Sequence, residues 1–247
     1  MKRWHLAAIG LAFYTFAIIA TAPATLIDAG LQRASHGKLC LAEARGTLWS
    51  GSGQIEVRDS GGRSGVAKNI TWLVQPGSLL RGHLVCEVKL GRTARPFLVA
   101  ISLYKIELAN ADINLPATAL GLGIAKLAPL GLTGDMLLHV DSLSIERNKM
   151  QGNATLQWRD AGSALVPVSP LGNYELNFNG DGATTHALLR TLQGPLQLDG
   201  KGLWESGGSS DFSALARVPP QLQQQLDPLL RLIAVERGIG SFEIKIK

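Results

Sequence analysis

The chain predicts a mainly β protein behind an N-terminal apolar helix, and three observations carry that expectation. Residues Leu6 to Ile27 hold no charged side chain. Beyond them, apolar residues recur with period two in short runs separated by Gly, Pro and Asn, as in antiparallel strands with one buried face. Charged residues make up only 17% of the chain and glycines number 28, a balance suited to strands and tight turns. The expected architecture is a transmembrane helix followed by an antiparallel β-meander, curled or open, in two similar halves with a few short helices.

Lys2 and Arg3 precede the apolar run, so the positive-inside bias makes residues 1–5 a cytoplasmic stub. Residues 6–27 are then a transmembrane anchor, long enough at about 1.5 Å per residue to cross a hydrocarbon core. A cleaved signal peptide is the alternative, with Ala20-Thr21-Ala22 or Ala22-Pro23-Ala24 as the small-residue site. The run exceeds the usual apolar core of about 7–15 residues, and Pro23 follows the better site, which favours an uncut anchor. Residues 28–36 continue the helical stripe past Pro23 until His36-Gly37 stops it.

Residues 37–247 form the β domain, exported to the periplasm on this orientation. Its first half, 37–113, contains alternating runs at Lys38–Glu43, Gln54–Arg58, Asn69–Val74, Gly82–Leu90 and Pro96–Leu108. Residues 115–130 carry Pro116 at a helix start and leucines at near-helical spacing, a short helix joining the halves. The second half, 131–247, restarts with Gly134–Glu146 and Met150–Trp158, then Leu165–Val168 and Leu171–Phe178. Asn179 to Gly182 is a turn. Thr184–Leu192 fits a strand or a short helix, whereas Gly194–Trp204 is a strand with Pro195 at its edge and Ser209–Arg217 as hairpin partner. Pro219-Pro220 opens a helix to about Val235 with Leu222, Leu226, Leu229, Leu230 and Ile233 on one face, and Gly238–Lys247 is the last strand.

The residues point to no catalytic, cofactor or metal site. Gly51-Ser52-Gly53 lacks the spacing of a nucleophile elbow, and Gly121-Leu122-Gly123 and Gly200-Lys201-Gly202 lack the third glycine of a dinucleotide loop. The histidines at 5, 36, 83, 139 and 186 make no ligand-spaced pair. Cys40 and Cys86 could pair in an oxidising compartment, or serve as two small buried hydrophobes. The net charge of +5 is dispersed, without the basic clustering that a nucleic-acid surface needs.

One ordered series of residues stands out: Gly46-Thr47-Leu48-Trp49 with Gly51, then Trp72, Gly82, Trp158, Leu171-Gly172 with Tyr174, Gly194-Pro195-Leu196, and Gly200 with Gly202. In that order, behind an apolar leader, the chain resembles the protein N family of the bacterial type II secretion system along nearly its full length. The resemblance implies an inner-membrane protein with one span and a periplasmic domain, an accessory part of the machine that exports folded proteins across the outer membrane. Its implied partners are the inner-membrane platform and the secretin. It implies no enzymatic activity and no catalytic residues, so the glycines would serve turns and close backbone approach while the aromatics fill the core. A membrane-anchored lipid-handling protein of the AsmA-like or lipopolysaccharide-export-like type is the competing reading, and a hydrolase of envelope polymers a third. Strand edges near Gly238–Lys247 and Gly194–Trp204 are the expected partner contacts.

Overall fold

A computed structural model describes residues 3–58, 64–91, 94–123, 127–147, 149–206, 210–238 and 240–246. The chain opens with helix α1 (Arg3–Ala20), breaks at Thr21–Ala24, and resumes as α2 (Thr25–Ala34). The break falls at Pro23, which bridges to Thr47 of the sheet instead of continuing the helix. The apolar run is therefore a helix, an elbow and a second helix. Among the described residues no helix is long and apolar enough to cross a membrane.

Among the described residues the rest is one sheet of 14 antiparallel strands. The first group is β1 (Leu39–Gly46), β2 (Ser50–Arg58), β3 (Ser64–Gln75), β4 (Leu84–Leu90), β5 (Phe97–Ile101) and β6 (Lys105–Pro116). After the short helix α3 (Thr118–Gly123) come β7 (Leu132–Glu146), β8 (Lys149–Ser163), β9 (Gly172–Asp181), β10 (Thr184–Gln193), β11 (Gln197–Glu205) and β12 (Ser210–Arg217). Helix α4 (Pro220–Ile233), β13 (Val235–Gly238) and β14 (Ser241–Ile246) end the chain. Neighbours in sequence are neighbours in the sheet until the end, where β14 inserts between β12 and β13.

The two expected halves are one continuous sheet. Strand β6 pairs β7 from Lys105 against Glu146 to Pro116 against Asp135, so the joint is a full ladder. Within the expected 115–130 helix, the described residues form only α3 and a turn of 3-10 helix at Ala128–Leu130, while β6 takes Leu115 and Pro116. Thr184–Leu192 is strand β10, whose His186 and Leu188 face out while Ala187 is buried. Leu165–Val168 makes no strand, and its Val166 plugs the core instead.

One face of the sheet is apolar throughout, and it is covered differently along its length. At the β1 end, Ile27 and Leu31 of α2 pack on Leu41, Trp72 and Val74. In the middle, Phe97, Ala111, Val140 and Ala154 bury one another as the sheet curls. The curl is visible at α3, which touches β2, β3 and β7, with Leu122 lying where a side chain at Gly65 would be. Lys68 Nζ donates to the Asn114 carbonyl across the same gap, which opens because β4 and β5 are shorter than their neighbours. At the far end, α4 lays Leu226, Leu229 and Leu230 on Leu171, Leu196, Ala216 and Phe242.

The two sheet edges differ. On β1, the outward N–H groups of Leu39 and Leu41 donate to Ser35 Oγ (2.9 Å) and Asp28 Oδ1 (2.7 Å), so α2 closes that edge. Strand β13 pairs only with β14, and all four of its residues are exposed. The expected edge contacts are thus relocated: Gly194–Trp204 becomes β11, inside the sheet, and β14 is shielded by β13.

Candidate functional site: the helix–sheet junction

The Gly46 to Gly51 stretch is the turn between β1 and β2, and its residue types follow from its geometry. Thr47 Oγ1 accepts from the backbone of Trp49 (3.3 Å) and Ser50 (3.2 Å), while the Thr47 N–H donates to the Ser50 carbonyl at 2.9 Å. Gly46 sits at φ +93°, and a Cβ there would lie 2.5 Å from the Ser50 carbonyl oxygen. A Cβ on Gly51 would lie 2.4 Å from both the Arg45 carbonyl and the Trp72 ring. The glycines let the turn close tightly and let the Trp72 ring lie flat on the backbone.

This turn grips the elbow between α1 and α2. The Trp49 indole N–H donates to the Ile19 carbonyl at 2.8 Å, capping the C-terminal end of α1. The Leu48 N–H donates to the Ala22 carbonyl (2.8 Å) and the Ala24 N–H to the Gly46 carbonyl (3.2 Å). Trp72 Nε1 then holds the Thr47 carbonyl at 3.2 Å, and the Val74 N–H reaches the Trp49 carbonyl at 2.6 Å. Helix, turn and β3 are joined by three backbone bonds and two indole N–H bonds. Asp28 adds a fourth element: its carboxylate takes the Gln32 amide and the Leu41 N–H, which hold its pKa below the ordinary carboxylate value against the opposing effect of burial. Gly82 stands apart, ending the 3-10 helix at Pro76–Arg81 in the left-handed region.

The remaining signature residues assemble a second cluster. Gly172 and Gly194 cross so closely that a Cβ on Gly194 would lie 2.3 Å from the Gly172 Cα. The crossing sets Leu171 beside Leu196, joined by the Leu196 N–H to the Leu171 carbonyl at 3.1 Å, with Pro195 between the glycine and the bond. Tyr174 is buried, donates its hydroxyl to the Leu196 carbonyl at 2.9 Å, and has its pKa pushed up by that burial. Trp158 tilts against Tyr174 at 5.9 Å and donates to the Thr133 carbonyl at 2.9 Å. Gly200 and Gly202 leave room for the rings of Phe212 and Trp204, which stack at 6.2 Å. The signature series is thus two packing centres near opposite edges of the sheet, not one pocket.

Cys40 and Cys86 are free thiols. They lie on β1 and β4 with two strands between them, and the period-two pleat points them to opposite faces. The pairing left open by the sequence is not made. Among the described residues no group of three or more His, Cys, Asp or Glu converges to hold a metal. A groove of about 850 Å³ on the polar face of β10 to β14 has Arg190, Asp199, Lys201 and Glu243 along its walls. Its charges are largely matched internally, Arg190 to Glu175 at 2.5 Å and Arg237 to Glu243 at 2.7 Å.

Two polar arrangements carried no motif. Glu175 is buried on the polar face, where Asn177, Gln157 and Arg190 hold its carboxyl below the ordinary value although burial opposes them. His139 lies between Asp112 (2.6 Å to Nδ1) and Asp141 (3.0 Å to Nε2), and hydrogen bonds to both raise its pKa. The sequence signal for each was a polar residue every second position on adjacent strands, which is visible only once the register is known.

A family model described as type II secretion system protein N matches residues 38–245. This chain belongs to that family. The match covers the whole sheet and starts just after α2, so the two packing centres are built from the family's own residues and the grip on α1 is made by its first turn. Members are structural components of the secretion machine, and this chain is an accessory protein of type II secretion. No curated protein and no solved structure matches the chain.

Proposed function

We propose that the chain is an inner-membrane component of the type II secretion system that holds a periplasmic sheet at a fixed attitude to the membrane for its partners. The observation that carries this reading is the junction. Helix α1 exposes Ile9, Leu11, Phe13, Tyr14, Phe16 and Ile18, each at least half exposed, and packs none of them on the sheet. Such a surface calls for an apolar surround. Its 18 residues rise about 27 Å, just short of a hydrocarbon core of about 30 Å, so the elbow completes the crossing. Lys2 and Arg3 put the amino terminus in the cytoplasm and the sheet in the periplasm.

The mechanism on this reading is scaffolding. The clamp of Trp49, Leu48 and Ala24 makes the anchor and the sheet move together, so a displacement in the membrane reaches the far edge. There β13 presents an unpaired backbone row to which a partner strand can add. The lipid-handling reading gains no support from the deep part of the apolar face, where Ala111, Val140, Ala161 and Ala216 are wholly buried by the sheet's own curl and α4.

Chemical crosslinking in intact membranes, followed by identification of the attached proteins, tests the proposal. Recovery of the secretin or the inner-membrane platform is the expected result. Recovery of lipid-transport proteins, or of phospholipid alone, would overturn it in favour of lipid handling.

A further inference from the structure

Beyond the junction turn, the end of the sheet that touches α1 carries a row of exposed apolar side chains. Because the strands form a meander, the β1–β2, β3–β4, β5–β6 and β7–β8 turns all lie at that end. The first holds Leu48 and Trp49, whose bonds to Ala22 and Ile19 put them at the end of α1. The second exposes Leu79, 43% accessible, and the third exposes Leu103 and Tyr104 at 89% and 70%. Leu103 and Tyr104 are the most exposed large hydrophobics among the described residues of the sheet.

One step inside these turns the apolar face runs out to the rim uncovered. Ile101 pairs with Ile106 and Ile106 with Ile145, a cross-strand file whose members are 44%, 43% and 40% exposed. Deeper on the same face, Phe97, Ala111 and Val140 are buried. At the opposite end α3 and α4 lie against the strands. Lys105 lies beside the file and is matched by Glu107 at 2.7 Å, while Arg147 and Lys149 are exposed.

We propose that this rim is a lipid-binding surface: the Leu79 and Leu103-Tyr104 turns seat in the bilayer interface beside α1. The inference rests on the membrane reading above and goes beyond it, since it adds a second contact, made by the sheet itself. The occupant is a lipid surface rather than a protein groove-filler because the side chains project singly from separate turn tips. They also combine a phenol with aliphatic tips and neighbouring cations, the composition that suits a headgroup region. Continuity with α1 sets the side: Trp49 touches the last turn of that helix, and the other tips follow strand by strand. Two contacts spaced along the sheet remove the swivel that a single helix would allow, which fixes the sheet upright.

The test uses the full chain reconstituted into vesicles of phosphatidylethanolamine and phosphatidylglycerol. Spin labels are placed at Phe13→Cys, Leu103→Cys and Leu192→Cys in a Cys40→Ala, Cys86→Ala background. Leu192 is the control, being 49% exposed but at the opposite end of the sheet. Oxygen should outcompete a water-soluble nickel chelate for labels 13 and 103, and the chelate should win at 192. A lipid-like label 13 with a water-like label 103 would overturn the rim proposal and leave the anchor standing. A water-like label 13 would sink the membrane reading and the rim with it. If the cysteine-free background does not fold, Tyr104→Trp in the otherwise unaltered chain probes the same contact: lipids brominated near the headgroup should quench the added fluorescence. Unquenched added fluorescence would reject the rim.

Discussion

Glu175 shows how far a single side chain can depend on register. Its carboxylate receives Asn177 Nδ2 and Gln157 Nε2, both at 3.0 Å, and the Arg190 guanidinium, donors drawn from three strands. These bonds favour the ionised form and lower the pKa from its ordinary 4.5. A lowered carboxyl contributes stability that is complete above the unfolded-state value and is lost as pH falls through the folded-state value. Glu175→Gln should therefore be less stable than the parent in urea at neutral pH, with a gap that begins to close only below about pH 4.5. A gap already closing at pH 6 would contradict the lowered pKa. None of this is legible in the sequence, because Glu175 in isolation is one more polar residue in an alternating strand. Trp49 is the opposite case: its place in the signature is plain, but its partner Ile19 lies 30 residues earlier and no spacing rule connects them.

At the scale of the element, α4 is the most faithful translation of pattern into structure. Leu222, Leu226, Leu229, Leu230 and Ile233 fall on one helical face, and Leu226, Leu229 and Leu230 are buried against Leu171, Leu196 and Phe242. Pro228 sits inside the helix, where it removes one backbone bond that the packed face must offset. Leu226→Ala, at a wholly buried position, should cost about 2–5 kcal/mol in urea unfolding, and a loss under about 1 kcal/mol would show that α4 is not part of the core. The strands are legible for the same reason, since alternation needs only neighbouring residues. The elbow is not: Pro23 signals a bend, but the break into two helices is completed by Thr47, which claims the backbone there.

For the molecule as a whole, the consequence of an unbroken ladder from β1 to β13 is cooperativity. Hydrogen exchange along a urea series should show β3, β8 and β12 losing protection at one midpoint. Two separated midpoints would restore the division at residues 115–130. That division looks natural in sequence because a Gly- and Pro-containing segment interrupts the alternation, and pattern alone does not report that β6 and β7 pair across it. By itself, the sequence determined the class of the fold, most strands, the amphipathic face of α4 and membership of the secretion family, all of which rest on periodicity or on residue order. The tertiary structure alone decided that the sheet is single, that α2 closes one edge while β13 leaves the other open, and that the Gly46–Gly51 turn grips the end of α1. The physical reason is the same in each case: strand order and edge protection come from hydrogen bonds and contacts between residues distant in the chain, and local side-chain pattern carries no record of which distant backbone will supply the partner.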